Sequence, residues 1–128
     1  MQRTYQGARV ARVVDGDTVI LDVDLGFGVW LAGQSFRLWG CNAIEHDQPG
    51  GAEATANLTS LLPAGSLVTL TSLKPDKFGG RYDAVITLPD GQDLVTLLIQ
   101  TGWAAAWNGR GPKPVPPWPR VTSTPVVE

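Results

Sequence analysis

The run Arg9-Val10-Ala11-Arg12-Val13-Val14-Asp15-Gly16-Asp17-Thr18-Val19-Ile20-Leu21-Asp22-Val23-Asp24 carries the architecture of this chain. Arg9 to Val14 reads as a strand, Asp15-Gly16-Asp17 as a tight turn, and Thr18 to Asp24 as the returning strand. In that second strand Val19, Leu21 and Val23 share one face, while Asp22 and Asp24 take the other. Such alternation belongs to a sheet with one face in a core and the other toward water.

Beyond this hairpin, Leu25-Gly26-Phe27-Gly28 turns the chain into a third strand from about Ser35 to Trp39. There Phe36 and Leu38 share a face and Arg37 points to the opposite one. Pro49-Gly50-Gly51 breaks the chain before Ala52 to Leu62, where Ala54, Leu58, Leu61 and Leu62 make one stripe of an amphipathic helix. Pro63-Ala64-Gly65 stops that helix. Leu67 to Leu73 and Tyr82 to Leu88 read as two more strands, followed by the turn Pro89-Asp90-Gly91. Asp93 can cap a second helix, Leu94 to Thr101, which ends at Gly102.

The order predicts a mainly β fold with helices: a five-stranded OB-type Greek-key barrel with two short helices, since closure removes exposed edges. A split β-sandwich fits the same pattern. Residues 1–108 form the expected barrel domain. Residues 109–128 form a tail in which Gly109 to Pro119 holds five of the ten prolines, so it can continue neither helix nor sheet and is expected to run extended.

With 128 residues, 43% hydrophobic and 17% charged, the chain suits one globular domain. No stretch is long and apolar enough to span a membrane, and no apolar run follows Met1 to Gln6 as a secretory signal would require. One cysteine, Cys41, excludes an internal disulfide framework and suits a reducing compartment, so a cytoplasmic monomer is expected. A net charge of -2 and a pI near 5.3 exclude a protein that coats nucleic acid through a global positive field. An enzyme that must release its product is compatible with both.

Three polar clusters fall where strands end: Asp15 with Asp17, then Arg37 with Asn42 and Glu45, then Lys77 with Arg81. Each alone is ordinary turn or loop chemistry. Together, Asp15-Gly16-Asp17-Thr18-Val19, Phe36-Arg37-Leu38-Trp39-Gly40-Cys41-Asn42-Ala43-Ile44-Glu45 and Asp76-Lys77-Phe78-Gly79-Gly80-Arg81 closely resemble the three signature stretches of the staphylococcal nuclease-like (thermonuclease) family, in order. Gly51-Ala52-Glu53-Ala54 and Gln100-Thr101-Gly102-Trp103-Ala104 resemble the family as well. The likeness covers about residues 8 to 108, and the Leu25 to Gly33 excursion resembles small members from bacteriophages and their bacterial hosts.

The resemblance implies calcium-dependent hydrolysis of phosphodiester bonds in DNA, with RNA as a second candidate. It assigns Asp17 as the calcium-binding aspartate, Asn42 to the place of a second metal-binding carboxylate, and Ala43 to a backbone carbonyl in the shell. Glu45 matches the glutamate that activates water, and Arg37 and Arg81 match the pair that binds the scissile phosphate. Lys77, Phe78 and Trp107 are candidate substrate contacts, Trp107 by stacking on a base, although it could equally cover an end of the barrel.

Three departures stand out. Asn42 removes one charge from the calcium site. Gly79-Gly80 lengthens a loop that has one glycine in the family, and the proline-rich tail stands where larger secreted members carry a further helix. A non-cutting OB-fold module that binds nucleic acid or protein is the alternative function, favoured by Asn42 and the low pI. Pro114-Val115-Pro116-Pro117 loosely fits a ligand for a partner's aromatic groove. His46 reads as a solvent-exposed loop residue, Cys41 as a buried small side chain, Trp103 as core, and Trp118 as packing the tail back on the body.

Overall fold

A computed structural model describes residues 2–116. The readings of Trp118 and of the tail past Pro116 lie outside the described residues.

β1 (Arg3–Asp15) and β2 (Thr18–Gly26) form the first hairpin, and β3 (Val29–Leu38) pairs with β2. A short β4 (Cys41–Ala43) precedes helix α1 (Gly51–Leu61). β5 (Leu67–Pro75), β6 (Arg81–Thr87), α2 (Leu94–Gln100) and a short β7 (Ala104–Ala106) follow.

The five long strands close into a barrel in the order β1-β2-β3-β6-β5. Closure depends on β1, whose residues pair with β2 on one side and β5 on the other, with two register shifts in the β2 ladder and one in the β5 ladder. Bulges, which shift register in this way, add the twist that a small closed sheet requires. The β3–β6 pairing is parallel and every other barrel pairing is antiparallel, so the fold is of the OB type and not a split sandwich.

Alternate residues of the strands fill the interior: Ala8 and Val10 of β1 join Val19, Leu21 and Val23 of β2 and Phe36 and Leu38 of β3 in one buried cluster. Ala54, Leu58 and Leu62 of the α1 stripe are buried, and Leu61 packs at its edge. Each fully buried leucine contributes roughly 2 kcal/mol by leaving water. In α2 the Asp93 carboxylate accepts the Thr96 N–H at 2.9 Å, the cap expected there. Trp103 packs against the core from a partly buried position, and Cys41 is fully buried.

Four strands differ from expectation, the first being β1, which begins at Arg3 and not at Arg9. β3 begins at Val29, well before Ser35, because its first half leaves the barrel: Val29, Trp30 and Leu31 are exposed, as is Phe27 at the hairpin tip. β4 and β7 are three-residue strands that pair with each other, Cys41 with Ala106 and Ala43 with Ala104. They tie the residues after β3 to those before the tail. Among the described residues no helix is long and apolar enough to cross a membrane.

Candidate functional site

Asp15 and Thr18 pair at the foot of the β1–β2 hairpin, leaving Gly16 and Asp17 at its turn. Gly16 is required there by space: a Cβ on it would stand 2.7 Å from the Ala43 Cβ. The turn therefore presses directly on β4. Register then aligns Thr18 with Arg37, and the parallel β3–β6 ladder aligns Arg37 with Asp83. Asp17, Arg37, Asn42, Glu45, Lys77 and Arg81, contributed by separate segments of the chain, border one cavity of about 380 Å³. Phe78 and Trp107 complete its wall.

Asp17 is the most tightly held of these groups. Its Oδ2 accepts the Ala43 N–H at 3.0 Å and an Arg37 guanidinium N–H at 3.4 Å, while Thr18 Oγ1 donates to Oδ1 at 3.2 Å. Ala43 is buried, and its backbone N–H orients Asp17. Glu45 is exposed and its carboxylate makes no hydrogen bond or ion pair among the described residues. Neighbouring His46 is exposed, as expected.

The loop between β5 and β6 delivers the second guanidinium. Gly79 and Gly80 both take positive φ, 73° and 71°, a conformation most side chains resist. The Asp76 N–H closes the loop onto the Arg81 carbonyl at 2.9 Å, and Asp76 Oδ2 accepts Arg81 Nε–H at 2.8 Å. The two-glycine loop thus leaves Arg81 at the same cavity as Arg37.

Beneath the arginines lies an acid pair. Burial and a hydrogen bond with Asp76 push the Asp83 carboxyl up to about 6, against the opposing charges of Lys74 and Arg37. Burial would raise Asp76 too, but hydrogen bonds from Asp83, Arg81 and the Phe78 N–H outweigh it and hold Asp76 at about 2. Below about pH 6 the pair holds one proton, on Asp83, which suits a carboxyl whose Oδ1 is buried without a partner. Burial, with the charge of Asp17, pushes the Cys41 thiol up to about 12, so it is inert.

The ring contacts at the border of the cavity carry no sequence signal. Trp39 lies inside the quoted motif, yet only the fold shows Lys74 Nζ standing 4.8 Å over its ring. Trp107 receives Arg37, Lys77 and Lys113, at 5.6, 5.6 and 5.8 Å from the ring centre, and so borders the cavity. Arg81 and Lys77 flank exposed Phe78 at 5.3 and 5.6 Å. Of the ten lysines and arginines of this net-acidic chain, Arg37, Lys74, Lys77, Arg81, Arg110 and Lys113 border this cavity. Charge is concentrated here even though the whole molecule lacks a positive field.

The donor chemistry fits a hard divalent cation. Burial and the neighbouring Asp17 charge push the Asp15 carboxyl up to about 6, the strain of two carboxylates sharing one corner. A divalent cation relieves that repulsion. Asn42 spends its Nδ2–H on the Pro114 carbonyl at 3.2 Å, which leaves its amide oxygen uncommitted. Among the described residues no group of three His, Cys, Asp or Glu side chains converges, and the oxygen donors Asp15, Asp17 and Asn42 border the same cavity. No protein-family model matches this chain, and no curated protein matches it.

Proposed function

We propose that this protein is a calcium-dependent nuclease of the staphylococcal nuclease-like kind, hydrolysing phosphodiester bonds of DNA and, as a second substrate, RNA. One observation carries the reading: Asp17, Arg37, Asn42, Glu45 and Arg81 border a single cavity, with both guanidiniums braced by carboxylates and the glutamate unbraced.

A phosphodiester repels hydroxide, and further negative charge builds on its non-bridging oxygens as water attacks. Arg81 donates its Nε–H to Asp76, and Arg37 donates to Asp17 and the Leu38 carbonyl. The remaining N–H groups are available to those oxygens as directional donors. Because Asp17 and Asp76 already hold the guanidiniums, little reorganisation accompanies the reaction. Glu45 takes the proton of the attacking water, and the P–O bond to the leaving oxygen breaks on the opposite side. A bound calcium, held by Asp17, Asp15 and the Asn42 amide oxygen, with the Ala43 carbonyl as the resemblance has it, would supply Lewis acidity to the phosphate. Trp107 and Phe78 offer faces on which bases of an unpaired strand can stack.

The test is cleavage of single-stranded and duplex DNA by the purified chain, with calcium and then with chelator, beside Glu45→Ala. Calcium-dependent cleavage that falls by about 10²–10⁴ in the variant is the expected result. Binding without cleavage at every metal tried refutes the enzyme in favour of a binding module.

A further inference from the structure

The chain after β7 folds back along the site instead of leaving it. The Trp107 N–H donates to the Gly40 carbonyl at 3.0 Å, and its indole Nε1–H donates to the Arg110 carbonyl at 3.0 Å. Gly109 lies against Trp39, so close that a Cβ on it would stand 3.3 Å from the ring. Asn42 then holds the Pro114 carbonyl at 3.2 Å. These attachments, spread over residues 107 to 114, bring Arg110 and Lys113 to the border of the cavity.

The charge balance differs on the two sides. Arg37 and Arg81 each have a carboxylate partner, Asp17 and Asp76. Arg110 and Lys113 have none among the described residues, and Lys113 instead lies over the Trp107 ring at 5.8 Å. Although Asp15, Asp17, Glu45, Asp76 and Asp83 border the same cavity, none of them pairs with Arg110 or Lys113, and an extended polyanion is a ligand that would engage both. A single phosphodiester held by Arg37 and Arg81 would leave Arg110 and Lys113 unused.

We propose that residues 108–116 are a wall of the binding site, on which Arg110 and Lys113 hold the phosphates flanking the scissile one in a single strand of several nucleotides. This rests on the nuclease reading above and extends its substrate from one phosphodiester to a strand. Two phosphate contacts on a single strand contribute about 0.7 each to the slope of log affinity against log salt.

The experiment uses the full chain in chelator, so that no strand is cut, and a short fluorescent single-stranded DNA read by anisotropy over a salt series. Arg110→Ala/Lys113→Ala is compared with Arg9→Ala/Arg12→Ala, which removes two positive charges outside the cavity. The expected result is a Kd raised about tenfold at roughly 0.1 M salt and a slope lowered by about 1.4 in the first variant. The control stays within about twofold of wild type. Unchanged binding in the first variant, or an equal loss in the control, overturns the wall while leaving the cleavage result standing. A wild-type chain that binds no oligonucleotide at any salt overturns the wall together with the nucleic-acid reading.

Discussion

A Cβ on Gly51 would stand 1.8 Å from the backbone carbonyl oxygen of Glu45. The first residue of α1 is therefore packed directly on the segment that presents the candidate base. The same segment is closed by Gln48 N–H to the Glu45 carbonyl at 3.0 Å and by Gly51 N–H to the Gln48 carbonyl at 2.8 Å. Gly51→Ala must push this turn away, since backbone and not a flexible side-chain end is in the way. The expected outcome is a loss of about 1–3 kcal/mol in urea unfolding, with cleavage reduced further than that loss explains. Wild-type cleavage rates in a folded Gly51→Ala protein would remove Glu45's position from the mechanism.

Arg81→Lys keeps a positive charge but loses the planar fork that reaches Asp76 and phosphate together. The turnover number is expected to fall by about 10²–10³, the cost of losing one preorganised donor to the transition state. Affinity for uncut single-stranded DNA should change far less. Comparable losses in both measurements would mean that Arg81 only binds.

The parts of this fold that were legible in the sequence are those whose cause is local. Val19, Leu21 and Val23 alternate because the hairpin has one wet face, and all three are buried. Ala54, Leu58 and Leu62 repeat at helical spacing because α1 covers the core with one stripe. β4 and β7 are too short to show any period and exist only by pairing with each other. Val29 to Leu31 gave no strand signal because residues exposed on both faces need not alternate. At the site, Asp17, Arg37 and Arg81 stood out by motif, whereas Lys74, Asp83, Arg110 and Lys113 are brought in by strand register and by the tail's return. Proline content says what the tail cannot form; it does not say what the tail lies on.

Asp83 makes stability depend on pH in a definite direction. Its folded-state value of about 6 lies above the ordinary aspartate value near 3.9, so the folded state holds the proton more tightly. That contribution is complete below about pH 4 and is lost as pH rises through about 6. Asp76, held at about 2, works the other way: its contribution is present above about pH 4 and lost toward about pH 2. Lys74, Arg37 and Arg81 face the pair and oppose its full protonation. Asp83→Asn, which keeps a donor toward Asp76, is expected to flatten the decline between about pH 4 and 6. It should also stabilise the protein at neutral pH by on the order of 1–3 kcal/mol. Urea unfolding of both proteins across that range is the check, and an identical pH dependence would take the Asp83 proton out of the account.

Asn42→Asp tests the metal site and the tail together, because Asn42 serves both. Its Nδ2–H is the latch on the Pro114 carbonyl, and an aspartate cannot donate that bond; two acceptor oxygens would face each other instead. The same change adds a carboxylate to the cavity that Asp15 and Asp17 border, which raises the charge available to a divalent cation. Calcium affinity is expected to tighten by about tenfold, read by titration calorimetry, since ligand charge tunes calcium sites over decades. The tail is expected to loosen, read as faster trypsin cleavage after Arg110. The two readouts separate the two roles. Unchanged calcium affinity takes the Asn42 side chain out of the metal shell, and an unchanged tryptic rate means the Pro114 contact does not hold the tail.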